Sequence, residues 1–232
     1  MSYIRNNPEI VRDLLAQHAQ IVLVALAVAL AVALPLGILI DRYRWLAAPV
    51  MGALGLLYTV PSLALMILLI PYFGLDRQSV IAALIIYSQV ILVRNIVAGL
   101  GSIDPAIVEA ARGMGMNGWQ VWWRVQFPLA LPVILAGLRI AAVVAIGVAT
   151  IGALFAAGGL GRLLFDGIAQ DRPDKIAAGS LVIALLALTV NTTLLALERV
   201  FDPARRAART GRVRRRWRVS RQTVENAQPL QG

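Results

Sequence analysis

Uncharged apolar stretches long enough to cross a lipid bilayer recur along this chain, and no other feature constrains its fold as much. Residues 19–40 carry no charge. At ~1.5 Å of rise per residue, such a run covers a hydrocarbon core of ~30 Å. Four more blocks follow at 46–71, 79–100, 128–155 and 176–197, with Arg94 and Arg139 as their only charges. Composition agrees: 59% of residues are hydrophobic and 15% charged, where a soluble domain carries about a quarter charged. The reading is an all-α, polytopic membrane protein with five transmembrane helices. Residues 1–18 precede the first span as an extracytoplasmic segment, expected to begin a short amphipathic helix near Pro8 with Ile10, Val11, Leu14 and Leu15 on one side. They lack the cationic start and small-residue cleavage site of a signal peptide, so no cleavage is expected.

Charge sets the expected orientation. The net charge is +10, and Arg205, Arg206, Arg209, Arg212, Arg214, Arg215, Arg216, Arg218 and Arg221 crowd the tail 201–232 beyond the last span. Such an excess belongs in the cytoplasm. Counting back through five spans puts the amino terminus outside, the carboxyl terminus inside, and the loop 104–127 inside. Between spans four and five, Arg162, Arg172 and Lys175 are balanced by Asp166, Asp171 and Asp174, as an outside loop should be. An arginine run can bind nucleic acid, but directly after a span it reads as orientation plus attraction to the anionic bilayer surface. No nucleic acid is expected as a partner.

The loop between spans three and four is too polar to span and too patterned to be disordered. Asp104 before Pro105 is a helix start, with an acceptor at the N-cap and a pre-set φ after it. Ala106, Ala110 and Gly113 fall at i, i+4 and i+7, a stripe of nearly absent side chains. Gly113 and Gly115 should end that helix. Asn117 with Gln120 resembles a capping box opening a second short helix. Trp119, Trp122 and Trp123 share one face of it, at headgroup level, and Pro128 is expected to close it. The prediction is a cytoplasmic helix-turn-helix.

Several chemistries lack their residues. The chain has no cysteine, one histidine (His18) and one lysine (Lys175). A protein-built metal site is not expected, and no Gly-Lys-Ser/Thr supplies a phosphate-binding loop. Nucleotide hydrolysis therefore belongs to another chain, and no enzymatic activity or cofactor is expected here.

Polar groups at membrane depth are candidates for a translocation path: Tyr58, Thr59, Pro61 and Ser62 in span two, and Ser88 and Gln89 in span three. Helix–helix hydrogen bonding is the competing reading, and it stands equally for Asn191, Thr192 and Thr193. Pro61 removes a backbone hydrogen bond mid-span, which lipid tolerates only if other protein groups compensate. Arg94 and Arg139 read as snorkelling or paired structural charges. Gly158, Gly159 and Gly161 in AAGGLG, after span four, read as a turn or as a hinge where irregular backbone lines a cavity.

One stretch also carries a resemblance. Glu109-Ala110-Ala111, then Gly115, then Val125-Gln126-Phe127-Pro128 resembles the EAA loop of permeases in binding-protein-dependent ABC importers. The family's pattern ends Ile-x-Leu-Pro, and this chain departs from it by Val125 and Phe127. The likeness extends over roughly 19–200. Segments such as TVPSLALMILLIPYFGL and LVRNIVAGLGSIDPAIVEAARGMGM are most similar to osmoprotectant permeases, which carry glycine betaine, choline and carnitine. The resemblance implies a permease subunit of an ATP-driven importer in a bacterial cytoplasmic (inner) membrane. Its implied partners are ATP-binding cassette ATPase subunits, a second permease subunit and an extracytoplasmic substrate-binding protein. It implies ATPase coupling through Ala106, Glu109, Ala110, Ala111, Gly113 and Gly115, with ATP bound on the partner. The alternatives are an ABC importer permease for another small solute such as an amino acid, and a stand-alone secondary transporter. The second is opposed by the lack of an internal repeat and of paired acidic residues at membrane depth. A membrane-embedded enzyme would need a His, Cys or acidic cluster that the sequence lacks.

Overall fold

A computed structural model describes residues 2–201; the arginine-rich tail, with its nine expected orientation charges, lies outside the described residues. Within them every regular element is helical, with four helices long and apolar enough to cross a membrane and a bent pair that makes a fifth. A short α1 (Ser2–Asn6) leads into α2 (Pro8–Arg42), whose first residues are not a separate segment. Pro8 sits at its first turn, where its missing N–H costs nothing, and no breaker follows before the apolar run. Val11 and Leu14 are buried on its inner side, whereas Ile10 is exposed.

The second apolar block is not straight. α3 (Ala47–Thr59) and α4 (Ser62–Phe73) meet at 97°. Pro61 cannot donate a backbone hydrogen bond and drives the residue before it out of the helical region. Val60 accordingly lies at φ −65°, ψ 125°.

α5 (Arg77–Gly101) is the central helix. Its pairing with α2 reads off three levels. Arg77 donates to the Gln20 side chain at 3.1 Å, the Gln89 amide to the Ala29 carbonyl at 3.1 Å, and Ile96 presses on Gly37 too closely for a β-carbon. Both sequence numbers rise together, so α2 and α5 are parallel. The chain between them must therefore cross back, and the bent α3–α4 pair makes that crossing.

α8 (Phe127–Ile151) runs antiparallel to α5: Gly99 lies against Ala130, Asn95 against Gly137, and Val80 against Gly152. Small residues let these backbones approach, as is usual where lipid supplies no hydrophobic drive between helices. A short 3-10 turn (Gly152–Phe155) ends this span. The polar stretch after it contains α9 (Gly161–Ala169), and α10 (Pro173–Phe201) is the last span. α10 buries only Ala178 and Gly179 and otherwise lies on the outside of the bundle.

Two ends result. One gathers the start of α2, the start of α5, α9 and the start of α10. The other gathers Asp41–Arg44, the loop after α5, and the end of α10.

Candidate functional site

The loop after α5 builds a small helix with one free face. Asp104 accepts the Ala106 N–H at 2.9 Å, Pro105 opens the first turn, and α6 spans Pro105–Gly113. Ala111 is buried against its own chain and Val108 half-buried beside it. Ala106, Glu109, Ala110 and Gly113 fall on the opposite side and are exposed. Ile107 and Met114 flank them, also exposed. Thus the small-residue stripe faces away from the bundle, while Ala111 fastens the helix to it.

The two glycines differ in kind. Gly115 has φ +82°, the left-handed region, and donates back to the Arg112 carbonyl at 2.9 Å. It is the helix terminator that a non-glycine residue would strain. Gly113 is helical, and a β-carbon there would meet nothing within 4 Å. Its own chain does not require glycine at that place.

Asn117 and Gln120 form a complete capping box: the Asn117 side chain accepts the Gln120 N–H at 2.9 Å, and the Gln120 side chain accepts the Asn117 N–H at 3.0 Å. The helix they open, α7 (Gly118–Val121), does not end at Pro128. It runs through a π turn (Trp122–Gln126) directly into α8, with the Phe127 N–H bonded to the Trp122 carbonyl. Pro128 has no N–H for the carbonyl four residues back, and the wider turn accommodates its ring. The tryptophans pack on one another, Trp122–Trp123 at 4.7 Å and Trp119–Trp123 at 5.5 Å, with Trp122 stacked on Phe127 at 5.2 Å.

The membrane-depth residues separate into two groups. Tyr58, Thr59, Pro61 and Ser62 lie at the α3–α4 bend; the first three are exposed and Ser62 is half-buried. The Thr59 hydroxyl bonds the Leu56 carbonyl at 2.7 Å, and the Tyr58 ring meets Tyr87 edge-on at 5.5 Å. Ser88 and Gln89, in contrast, are buried inside the bundle, Gln89 being tied to α2.

Gly158 and Gly159 both have φ +78° and form a close-packed turn over the start of α2. The Gly159 N–H donates to Gln17 Oε1 at 3.2 Å, and a β-carbon there would lie 3.1 Å from His18 Nδ1. Gly161 abuts the Thr150 carbonyl, with no room for a side chain. Gln17 and His18 are partners that sequence reasoning missed; nothing local marks residues that meet a loop about 140 positions away. Of the two readings of Arg139, snorkelling or a paired charge, the structure has the pair: its partner is Glu198, at 3.2 Å, with Asn191 at 3.4 Å.

With that geometry in place, comparison with known proteins is informative. The profile of the family described as "Binding-protein-dependent transport system inner membrane component" matches residues 33–207. The chain is 42% identical over 206 residues to the osmoprotectant import permease protein OsmW of Salmonella typhimurium, covering 87% of this chain and 96% of the relative. It is 41% identical over 196 residues to the carnitine transport permease protein OpuCB of Listeria monocytogenes (84% and 90%), and 37% identical over 212 residues to the choline transport system permease protein OpuBD of Bacillus subtilis (91% and 93%). Among solved structures, an inward-facing form of the MetNI methionine ABC transporter aligns with TM-score 0.75 at 18% identity, over 83% of this chain and 96% of that one. At that identity the likeness concerns the fold.

Proposed function

Because this chain belongs to the family of binding-protein-dependent transport system inner membrane components, we propose that it moves small quaternary-amine osmoprotectants, of the glycine betaine, choline and carnitine class, by alternating access. It is a permease subunit, carries out no covalent chemistry and holds no cofactor of its own; ATP is bound by partner ATPase subunits. The family works with a substrate-binding protein and a second permease. The substrate class rests on the relatives, whose names span osmoprotectants, carnitine and choline.

The observation that carries the coupling role is the outward stripe of Ala106, Glu109, Ala110 and Gly113 on α6. Small residues allow a partner's backbone to approach, and a helix fastened at Ala111 and turned sharply at Gly115 transmits motion as a rigid element. Glu109 supplies the polar contact in that joint. The exposed residues at the α3–α4 bend, Tyr58, Thr59 and Pro61, with Ser62 beside them, line the path. Ser88 and Gln89 back it from within the bundle, and the Gly158–Gly159–Gly161 turn closes its outer end.

The stripe's end of the bundle is the cytoplasmic one of a bacterial inner membrane. At the opposite end Arg5, Arg12, Arg77, Arg162, Arg172 and Lys175 face an equal number of acids: Glu9, Asp13, Asp76, Asp166, Asp171 and Asp174. At the stripe's end and the half-bundle above it, Arg42, Arg44, Arg94, Arg112, Arg124, Arg139 and Arg199 outnumber Asp41, Asp104, Glu109 and Glu198 before the tail is counted. That asymmetry supports a cytoplasmic assignment. The test is uptake of labelled glycine betaine into vesicles holding this permease, with and without its ATPase subunit and binding protein. Uptake requiring both, and absent for labelled methionine, upholds the reading; uptake by the permease alone overturns it.

A further inference from the structure

Beneath the α6–α7 loop lies an open cleft of about 870 Å³ that the transport reading does not use. Asp41 and Arg42 at the end of α2, Arg112 on α6, and Trp119, Trp122 and Trp123 line it. Arg112 sits on the flank of α6, not within the outward stripe. Neither Arg42 nor Arg112 has a carboxylate within 4.0 Å among the described residues. Both guanidiniums are exposed, and that of Arg42 lies over the Tyr43 ring at 5.7 Å. Two guanidiniums without a carboxylate partner form a donor set for an anion, and guanidiniums match phosphate oxygens in particular.

We propose that this cleft holds the phosphate headgroup of an anionic phospholipid. Its location distinguishes lipid from a soluble anion: it opens where a transmembrane helix emerges, at the level where tryptophans sit among headgroups. Leu39, Tyr43 and Trp45 beside it are 44%, 45% and 74% exposed, forming an apolar approach from the bilayer. The indole rings and Ile38 give the cleft an apolar wall that a glycerol backbone can use and a free phosphate cannot. Asp41 at the rim opposes a doubly charged ligand and suits a phosphodiester with a single charge. A headgroup so placed bridges α2 to α6 and fixes the distance between span and coupling helix, whatever solute is carried.

The experiment uses the purified permease–ATPase complex in vesicles of equimolar phosphatidylglycerol and phosphatidylcholine, with lipid retained after detergent extraction counted by native mass spectrometry. Phosphatidylglycerol is retained preferentially. Arg42→Gln and Arg112→Gln each weaken its retention about fivefold, while Arg12→Gln at the opposite end leaves it unchanged. Excess inorganic phosphate does not displace the lipid. No preference in the wild type, an unchanged preference in the double variant, or displacement by phosphate overturns the proposal. Should the arginine variants fail to assemble, brominated lipids decide on the wild type: phosphatidylglycerol must quench tryptophan fluorescence more than phosphatidylcholine, and equal quenching overturns the site.

Discussion

The Tyr87 hydroxyl donates to the Val60 carbonyl, joining the middle of α5 to the break between α3 and α4. That carbonyl belongs to the residue before Pro61, outside both helices, so neither helix supplies it with a donor. At membrane depth an unmet backbone carbonyl is costly, and Tyr87 is the group that removes the cost. The bend and the tyrosine are one device.

Tyr87→Phe should therefore lower thermal stability by about 1–3 kcal/mol, read as a reduced melting temperature of the purified complex. Tyr58→Phe, which keeps the edge-on ring contact with Tyr87 and breaks no side-chain hydrogen bond among the described residues, should leave it unchanged. Equal effects of the two would mean that ring packing, not the hydroxyl, supports the bend.

Gly113 separates docking from folding. A β-carbon there meets nothing in its own chain, so Gly113→Leu should raise helix stability by up to about 1 kcal/mol. If α6 docks a partner by close backbone approach, the same substitution abolishes co-purification of the ATPase and ATP-driven uptake. Retained co-purification with normal uptake would remove the stripe from the interface.

Gly115 fails by another route. With φ +82° and open space around it, Gly115→Val costs about 1–2 kcal/mol through backbone conformation alone. Uptake should be lost with the permease still in the membrane. Gly115→Asn should recover part of it, since asparagine tolerates the left-handed region. No recovery would point to a contact made by glycine itself.

What could be read beforehand was local. Asp104 and Pro105 at a helix start, Gly115 at its end and the Asn117–Gln120 box are all settled within a few residues, and each is found where the spacing put it. The apolar blocks marked the spans because length alone decides crossing. The 97° bend was half legible: Pro61 announces a lost hydrogen bond, but the donor that meets the freed carbonyl at the break is Tyr87, 27 positions away. The parallel pairing of α2 and α5 rests on contacts such as Arg77 with Gln20, and no periodicity reports which helix stands beside which. Likewise Gly158 and Gly159 announced a turn, while Gln17 and His18 beneath it could not be foreseen.

Arg139 and Glu198 make the last case. α10 fully buries only Ala178 and Gly179, with Ile183, Leu186, Ala187, Val190 and Leu194 half-buried against the core; near its end Glu198 accepts from Arg139 on α8 at 3.2 Å, each side chain 26% exposed. Asn191 adds a weaker contact at 3.4 Å. This pair anchors the lower part of an otherwise peripheral span, so Glu198→Gln should destabilise the permease. Partial exposure holds the loss to about 1–3 kcal/mol, below what a fully buried pair would show. Exchanging the two residues, Arg139→Glu with Glu198→Arg, should recover part of it, because the attraction is symmetric while the Asn191 contact is not. Melting of the wild type, Arg139→Glu, Glu198→Arg and the exchange, taken as a double-mutant cycle, measures the coupling; a coupling near zero would mean that the pair is a surface contact and that α10 is held by its apolar packing alone.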